Sequence, residues 1–184
     1  MKDLKLRVLM ACLAGFMLLG IDFLIKALAN RGLTLQSPRP TFLPFLELYL
    51  THNRGYHFLF GEISNHRIWA ISGIILVTLL VVLLIRSLYR ERASRGETHL
   101  YLVMIALMIG AAGNVLEVFF MGHATDYFIF HPFPWPSNIA DQYINSIIYI
   151  ILPVAIIVGW LERRRQRLSA PPTDNPTDKA SEAK

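Results

Sequence analysis

A chain of 184 residues in which 54% are hydrophobic and only 17% charged, with a mean hydropathy of +0.43, is too apolar for a soluble domain, where about a quarter of residues carry charge. The net charge of +5 lies in clusters beside apolar runs, which marks it as an orientation signal rather than a nucleic-acid surface. The single cysteine, Cys12, excludes an internal disulfide and any zinc site built on several cysteines.

The first span is predicted at residues 8–28, after a short basic start containing Lys2, Lys5 and Arg7. A run of that length crosses about 30 Å of hydrocarbon as a helix. Asp22 and Lys26 lie four residues apart near its far end, so they share a helix face and can pair. The pair is either interfacial and snorkelling or a structural ion pair that orients a site. Ala27-Leu28-Ala29 looks like a leader-cleavage site, but Asp22 and Lys26 are foreign to a cleavable leader, so this span is expected to be retained.

Residues 29–67 mix polar and aromatic positions. Leu46, Leu48 and Leu50 alternate with Glu47, Tyr49 and Thr51, which is a strand pattern, and Asn53-Arg54-Gly55 is a turn signal. A small β-element on the membrane surface is expected here, followed by a short amphipathic helix near residues 61–67. The second span is predicted at residues 68–85, with Arg86, Arg90, Arg92 and Arg95 after it. The third is predicted at residues 100–121, its second half holding Asn114 and Glu117. A loop rich in proline and aromatics follows, and the fourth span is predicted at residues 142–160, with Pro153 as a tolerated kink. Arg163, Arg164, Arg165 and Arg167 close it.

The fold class is therefore an all-α membrane protein of four transmembrane helices, with a small extracytoplasmic β-element between helices 1 and 2. Residues 1–168 form the membrane domain and residues 169–184 a disordered cytoplasmic tail. Lysine and arginine cluster at both termini and between spans two and three, while the loop between spans three and four has none. The positive-inside rule places both termini in the cytoplasm.

Two carboxylates, Asp126 and Asp141, then bracket the outer loop at the ends of neighbouring spans. Acidic groups so close to hydrocarbon mark a functional site. Close like charges cannot both ionise cheaply, so such a pair shares one proton, one member drawing a proton from water and the other donating one. That is the equipment for amide hydrolysis without metal or cofactor. Asp141 taken alone could simply N-cap the fourth span, but Asn138, Asn114, Asn53 and Asp22 all fall on the same outer side. None of the histidines stands in an HExxH arrangement, so no metal site is expected. Ser137 has no nucleophile-elbow motif.

These residues resemble the motifs of the lipoprotein signal peptidases, or signal peptidase II, over about residues 8–160. Asp22 with Lys26 is similar to the family's Asp-x-x-x-Lys. Asn53, Gly55 and Phe58 resemble its Asn-x-Gly-Ala-Ala-Phe, and Gly113-Asn114 its Gly-Asn. Thr125-Asp126-Tyr127 resembles its Val-Asp-Phe, and Asn138-Ile139-Ala140-Asp141 its Asn-(Ile/Leu)-Ala-Asp. The resemblance implies a monomeric aspartic endopeptidase of the bacterial inner membrane that removes signal peptides from prolipoproteins carrying a diacylglyceryl-modified cysteine, surrounded by membrane lipids. It implies that Asp126 and Asp141 activate water and that Asn114 and Asn138 hold the pair or the substrate. Asn53 and Gly55 would shape the β-element, and Asp22 with Lys26 would brace span one.

Glu117-Val118 stands where the family has Asp-Arg, removing a fixed cation near the site. Tyr56-His57 replaces two alanines, and His52 an arginine. These departures motivate an alternative, a non-catalytic lipopeptide-binding paralogue on the same fold. Retention of both aspartates favours the enzyme. A proton-coupled transporter ranks last, because the acids lie at one interface and no internal repeat is visible.

Overall fold

The computed structural model describes residues 2–54, 65–90 and 95–169. Gly55, Tyr56, His57, Phe58, most of the expected helix near residues 61–67 and the tail from residue 170 lie outside them. Among the described residues, four helices are long and apolar enough to cross a membrane. The first is α1, Lys2–Gly32, the second α2, His66–Arg90, and the third α3, Arg95–Met121. The fourth comprises α4, Ile139–Ser146, a π-helical turn, Ile147–Ile151, and α5, Leu152–Ser169.

Each span is longer than its apolar run. Hydropathy marks the part in hydrocarbon, whereas the helix continues wherever polar flanks can satisfy it. At the start of α1, Asp3 and Arg7 pair at 3.1 Å one turn apart. Beyond residue 28, Asn30 donates back to the Lys26 carbonyl at 3.0 Å. The spans leave large apolar side chains exposed, such as Phe16 and Leu24 on α1 and Ile75 and Leu79 on α2, as lipid-facing helices do.

The central helix is α3, which packs against α1, α2 and α4. Small residues permit the approach. A Cβ on Gly15 would meet Ile109 Cβ at 2.7 Å, and one on Gly110 would meet Leu18 Cβ and the Tyr143 ring at 2.9 Å. At one end of the bundle Val8, Ala11, Leu88 and Ile105 form a buried cluster. At the other, Ala29, Leu50, Tyr127 and Phe128 join the helices to a sheet.

That sheet exceeds the expected β-element. The strand predicted around Leu46 is present as β2, Leu46–Asn53, paired on one side with the short β1, Arg39–Pro40. Its other neighbour comes from the segment read as a loop, as β3, Ala124–Phe130, which continues into the short β4, Pro136–Ser137. All pairs are antiparallel, in the order β1-β2-β3-β4. Residues Ala124 to Phe128 are all buried, so β3 lacks the alternation that reveals a half-exposed strand. A register shift between Leu48 and Thr51 sets Thr51 opposite Asp126, a bulge beside the site.

Pro153 does not break the fourth span. A proline lacks the N–H and crowds the carbonyl four residues earlier, here Tyr149. The preceding turn widens, with the Leu152 N–H reaching the Ile147 carbonyl, and the helix passes on as α5.

Candidate active site

The C-termini of α1 and α3 and the N-termini of α2 and α4 lie at the sheet end of the bundle, so both predicted aspartates arrive there from short connections. Asp126 sits on β3 and is 3% exposed. Its Oδ1 accepts from Asn138 Nδ2 at 2.6 Å and its Oδ2 from Asn53 Nδ2 at 3.2 Å. Burial first, and then the charge of Asp141, push its carboxyl up to about 7, against the pull of those two amides.

Asp141 stands in the first turn of α4. It is not the N-cap. Asn138 caps, accepting the Asp141 N–H at 3.0 Å, while Asp141 Oδ2 accepts the Asn138 N–H at 3.1 Å, a reciprocal capping box. Asp141 Oδ2 also accepts from Ser137 Oγ at 3.2 Å, and Oδ1 accepts from Asn114 Nδ2 at 2.7 Å. Asn138 therefore touches both carboxyls and is wholly buried. Its amide orientation is fixed because its oxygen takes a backbone N–H. Asn138→Ala removes a cap, at about 1 kcal/mol, and leaves a buried Asp126 oxygen short of a donor, at about 1–3 kcal/mol. The expected result is a lower unfolding midpoint in detergent, measured by thermal denaturation.

Behind the pair lies a buried polar layer centred on Lys26. Its Nζ meets Asp22 Oδ2 at 2.8 Å and Glu117 Oε2 at 3.0 Å and donates to Asn114 Oδ1 at 2.5 Å. The contact with Asp22 Oδ2 is an ion pair without hydrogen-bond geometry. With side chains 0% and 3% exposed, Asp22 and Lys26 are not a snorkelling pair. Asp22 Oδ1 accepts the Ala140 N–H at 3.2 Å, joining α1 to the start of α4. Gly113 leaves room for this carboxylate, since a Cβ there would strike it. Glu117 accepts both the backbone N–H of Thr125, at 3.0 Å, and its hydroxyl, at 2.5 Å, which fixes the residue before Asp126.

Of the predicted site residues, Asp126, Asp141, Asn53, Asn114, Asn138, Asp22, Lys26 and Glu117 come together here, and Gly55 lies outside the described residues. Lys26 faces Glu117 directly, so the layer has a cation although the expected arginine is absent. His52 bonds Asn30 Oδ1 through Nε2 at 2.9 Å and stacks on His123 at 4.1 Å. Burial and His52 lower the pKa of His123.

Sequence reading missed Ser137, Thr125, Asn30 and Tyr127, whose hydroxyl accepts the Ile139 N–H at 3.1 Å. Asn30 donates to Thr125 Oγ1 at 3.2 Å. It was detectable as the third member of an Asp22, Lys26, Asn30 stripe at helical spacing. The Asn-x-x-Asp pattern of a capping box was detectable too. Among the described residues, no group of three or more histidine, cysteine, aspartate or glutamate side chains is arranged to hold a metal.

The sequence model of the family described as signal peptidase (SPase) II matches residues 14–158. The chain belongs to the signal peptidase II family. It is 29% identical over 158 residues to a lipoprotein signal peptidase of Mesorhizobium japonicum, covering 84% of this chain and 87% of that one. It is 30% identical to a lipoprotein signal peptidase of Brucella ovis, covering 82% and 86%. Two solved structures, each described as a bacterial membrane enzyme obtained by the in meso method, share the fold with TM-scores of 0.62. They are 14% and 18% identical, covering 89% and 80% of this chain and 94% and 92% of theirs.

Proposed function

We propose that this chain removes signal peptides from prolipoproteins as an aspartic endopeptidase, with Asp126 and Asp141 as its catalytic pair. The observation that carries the assignment is Asn138, which touches both carboxyls at the sheet end of the bundle, where burial and Asp141 push Asp126 up to about 7. The shared proton is assigned to Asp126. Asp141, whose oxygens accept three donors, takes a proton from water as it attacks the scissile carbonyl. Asp126 gives its proton to the carbonyl oxygen, and as the tetrahedral diol collapses it takes one back from a hydroxyl while Asp141 passes the proton it took from water to the leaving amine. The pair titrates as a unit. Asn53 and Asn138 hold Asp126, and Asn114 links Asp141 to Lys26.

The lysine and arginine distribution supports cytoplasmic termini, which puts the pair on the outer side of the membrane. The substrate is proposed to be lipid-modified at the cysteine that follows the cleaved bond. Purified protein in lipid, given a prolipoprotein with and without a diacylglyceryl group, tests this by gel shift. Cleavage restricted to the modified form is expected, and equal cleavage of both would remove lipid recognition from the proposal.

The pH dependence follows from Asp126. The folded carboxyl keeps a proton from its ordinary value of 3.8 up to about 7, whereas the unfolded one releases it near 3.8. Stability contributed by this group therefore falls as pH rises through that window. Activity that needs the Asp126 proton falls above about pH 7 as well. Asn53→Ala removes a bond to the ionised form, so it moves the upper limb of kcat/KM against pH to higher values. An upper limb that stays in place in this variant would place the titrating group elsewhere.

A further inference from the structure

The strands carrying Asp126 and Asn53 run away from the helix ends to a tip. The β1–β2 turn, residues 41–45, and the β3–β4 turn, residues 131–135, lie side by side there. The His131 N–H donates to the Phe45 carbonyl at 2.9 Å, and the Phe45 and Phe130 rings stack at 6.5 Å. Phe42 is 92% exposed, Phe133 63% and Trp135 68%. Neither turn contains an aspartate, glutamate, lysine or arginine. His131 pairs with Glu47 at 3.1 Å. Pro44, Pro132 and Pro134 stiffen the turns and present no N–H that would need water.

Depth decides what this surface meets. A groove of about 740 Å³ separates the tip from the fourth span, with Phe133 and Trp135 on one wall and Gln142, Asn145 and Tyr149 on the other. Tyr149 lies eight residues beyond Asp141, which is about 12 Å further along the helix. The headgroup zone on each side of a bilayer is only about 5–8 Å thick. The tip thus hangs beside the fourth span at the level of the outer leaflet. It continues the lipid-facing surface of that span, where Ile148, Tyr149 and Leu152 are exposed.

We propose that the two turns form a second membrane-insertion surface, with Phe42, Phe45, Phe133 and Trp135 seated in the outer leaflet of the bilayer that the helices cross. The partner is phospholipid. Uncharged aromatic side chains favour the headgroup–acyl boundary, where apolar rings and polar edges are both satisfied. The sheet is then held at two ends, by the helices near Asn53 and Ala124 and by lipid at Phe133 and Trp135. That sets the depth of Asp126 relative to the leaflet, whatever reaction the pair performs.

Trp135 reports on this directly. Trp69→Phe with Trp160→Phe leaves it as the sole tryptophan. Reconstituted into phosphatidylcholine vesicles brominated near the headgroup end of the acyl chain, its emission is expected to fall by about half or more, with weak quenching by aqueous acrylamide. Full acrylamide access without bromine quenching overturns the proposal. So does shielding of Trp135 only after prolipoprotein is added, which would make the tip a protein-docking surface. A spin label at Phe133→Cys in a Cys12→Ser background gives an independent reading. Greater accessibility to oxygen than to a water-soluble nickel chelate is expected, and the reverse overturns the proposal.

Discussion

Asp126→Asn and Asp141→Asn are each expected to lower cleavage of a lipid-modified prolipoprotein by on the order of a thousandfold or more. Positioned acid–base groups contribute about 10²–10⁴-fold each, and neither half of a proton-sharing pair works alone. Neither variant is expected to unfold. Each puts a neutral amide of the same shape in place of one member of a buried acid pair that shares a single proton, at the cost of one hydrogen bond from the surrounding amides and Ser137. Loss of cleavage without loss of thermal stability would therefore separate a catalytic role from a structural one. Activity above about one-tenth of wild type in either variant would remove that residue from the chemistry.

Lys26→Met is expected to show the largest loss of stability, about 3–5 kcal/mol, because removing one partner leaves buried charges uncompensated. Asp22, Glu117 and Asn114 all lose their contact with Nζ, and Asp22 and Lys26 are 0% and 2% exposed. The methionine keeps most of the volume, so the loss reports charge rather than a cavity. Combining it with Asp22→Asn recovers part of the deficit, since one orphaned carboxylate is gone. Denaturant titration in mixed micelles measures both. A loss below about 1 kcal/mol for the single variant would mean that the cluster relaxes to water instead of staying buried.

The membrane body was legible because hydrocarbon demands long apolar runs, and β2 because one of its faces is less covered than the other. The segment after α3 was not, because burial of Ala124 through Phe128 erased the alternation that marks a strand. Asp126 and Asp141 could be singled out as charges out of place. Asn53, Asn114 and Asn138 could be named beside them, but Ser137 could not, because a serine is ordinary in any loop and acquires meaning only once the chain folds back. Without a nucleophile motif it carried no signal, yet its hydroxyl meets Asp141. Asp141 itself was read as a cap or a catalyst, and the capping box shows that one carboxylate can close a helix and face a second acid.

The placement of Lys26 also bears on how the chain is built. Asp22 and Lys26 lie on one helix, so the buried acid of α1 enters the bilayer already paired with its own counter-ion, before any later span has been synthesised. Glu117 has no such neighbour on the buried face of α3, but by the time that helix emerges a lysine is already waiting at the matching depth. The ion cluster is thus ordered along the chain, so that each buried acid follows or accompanies its cation into the membrane.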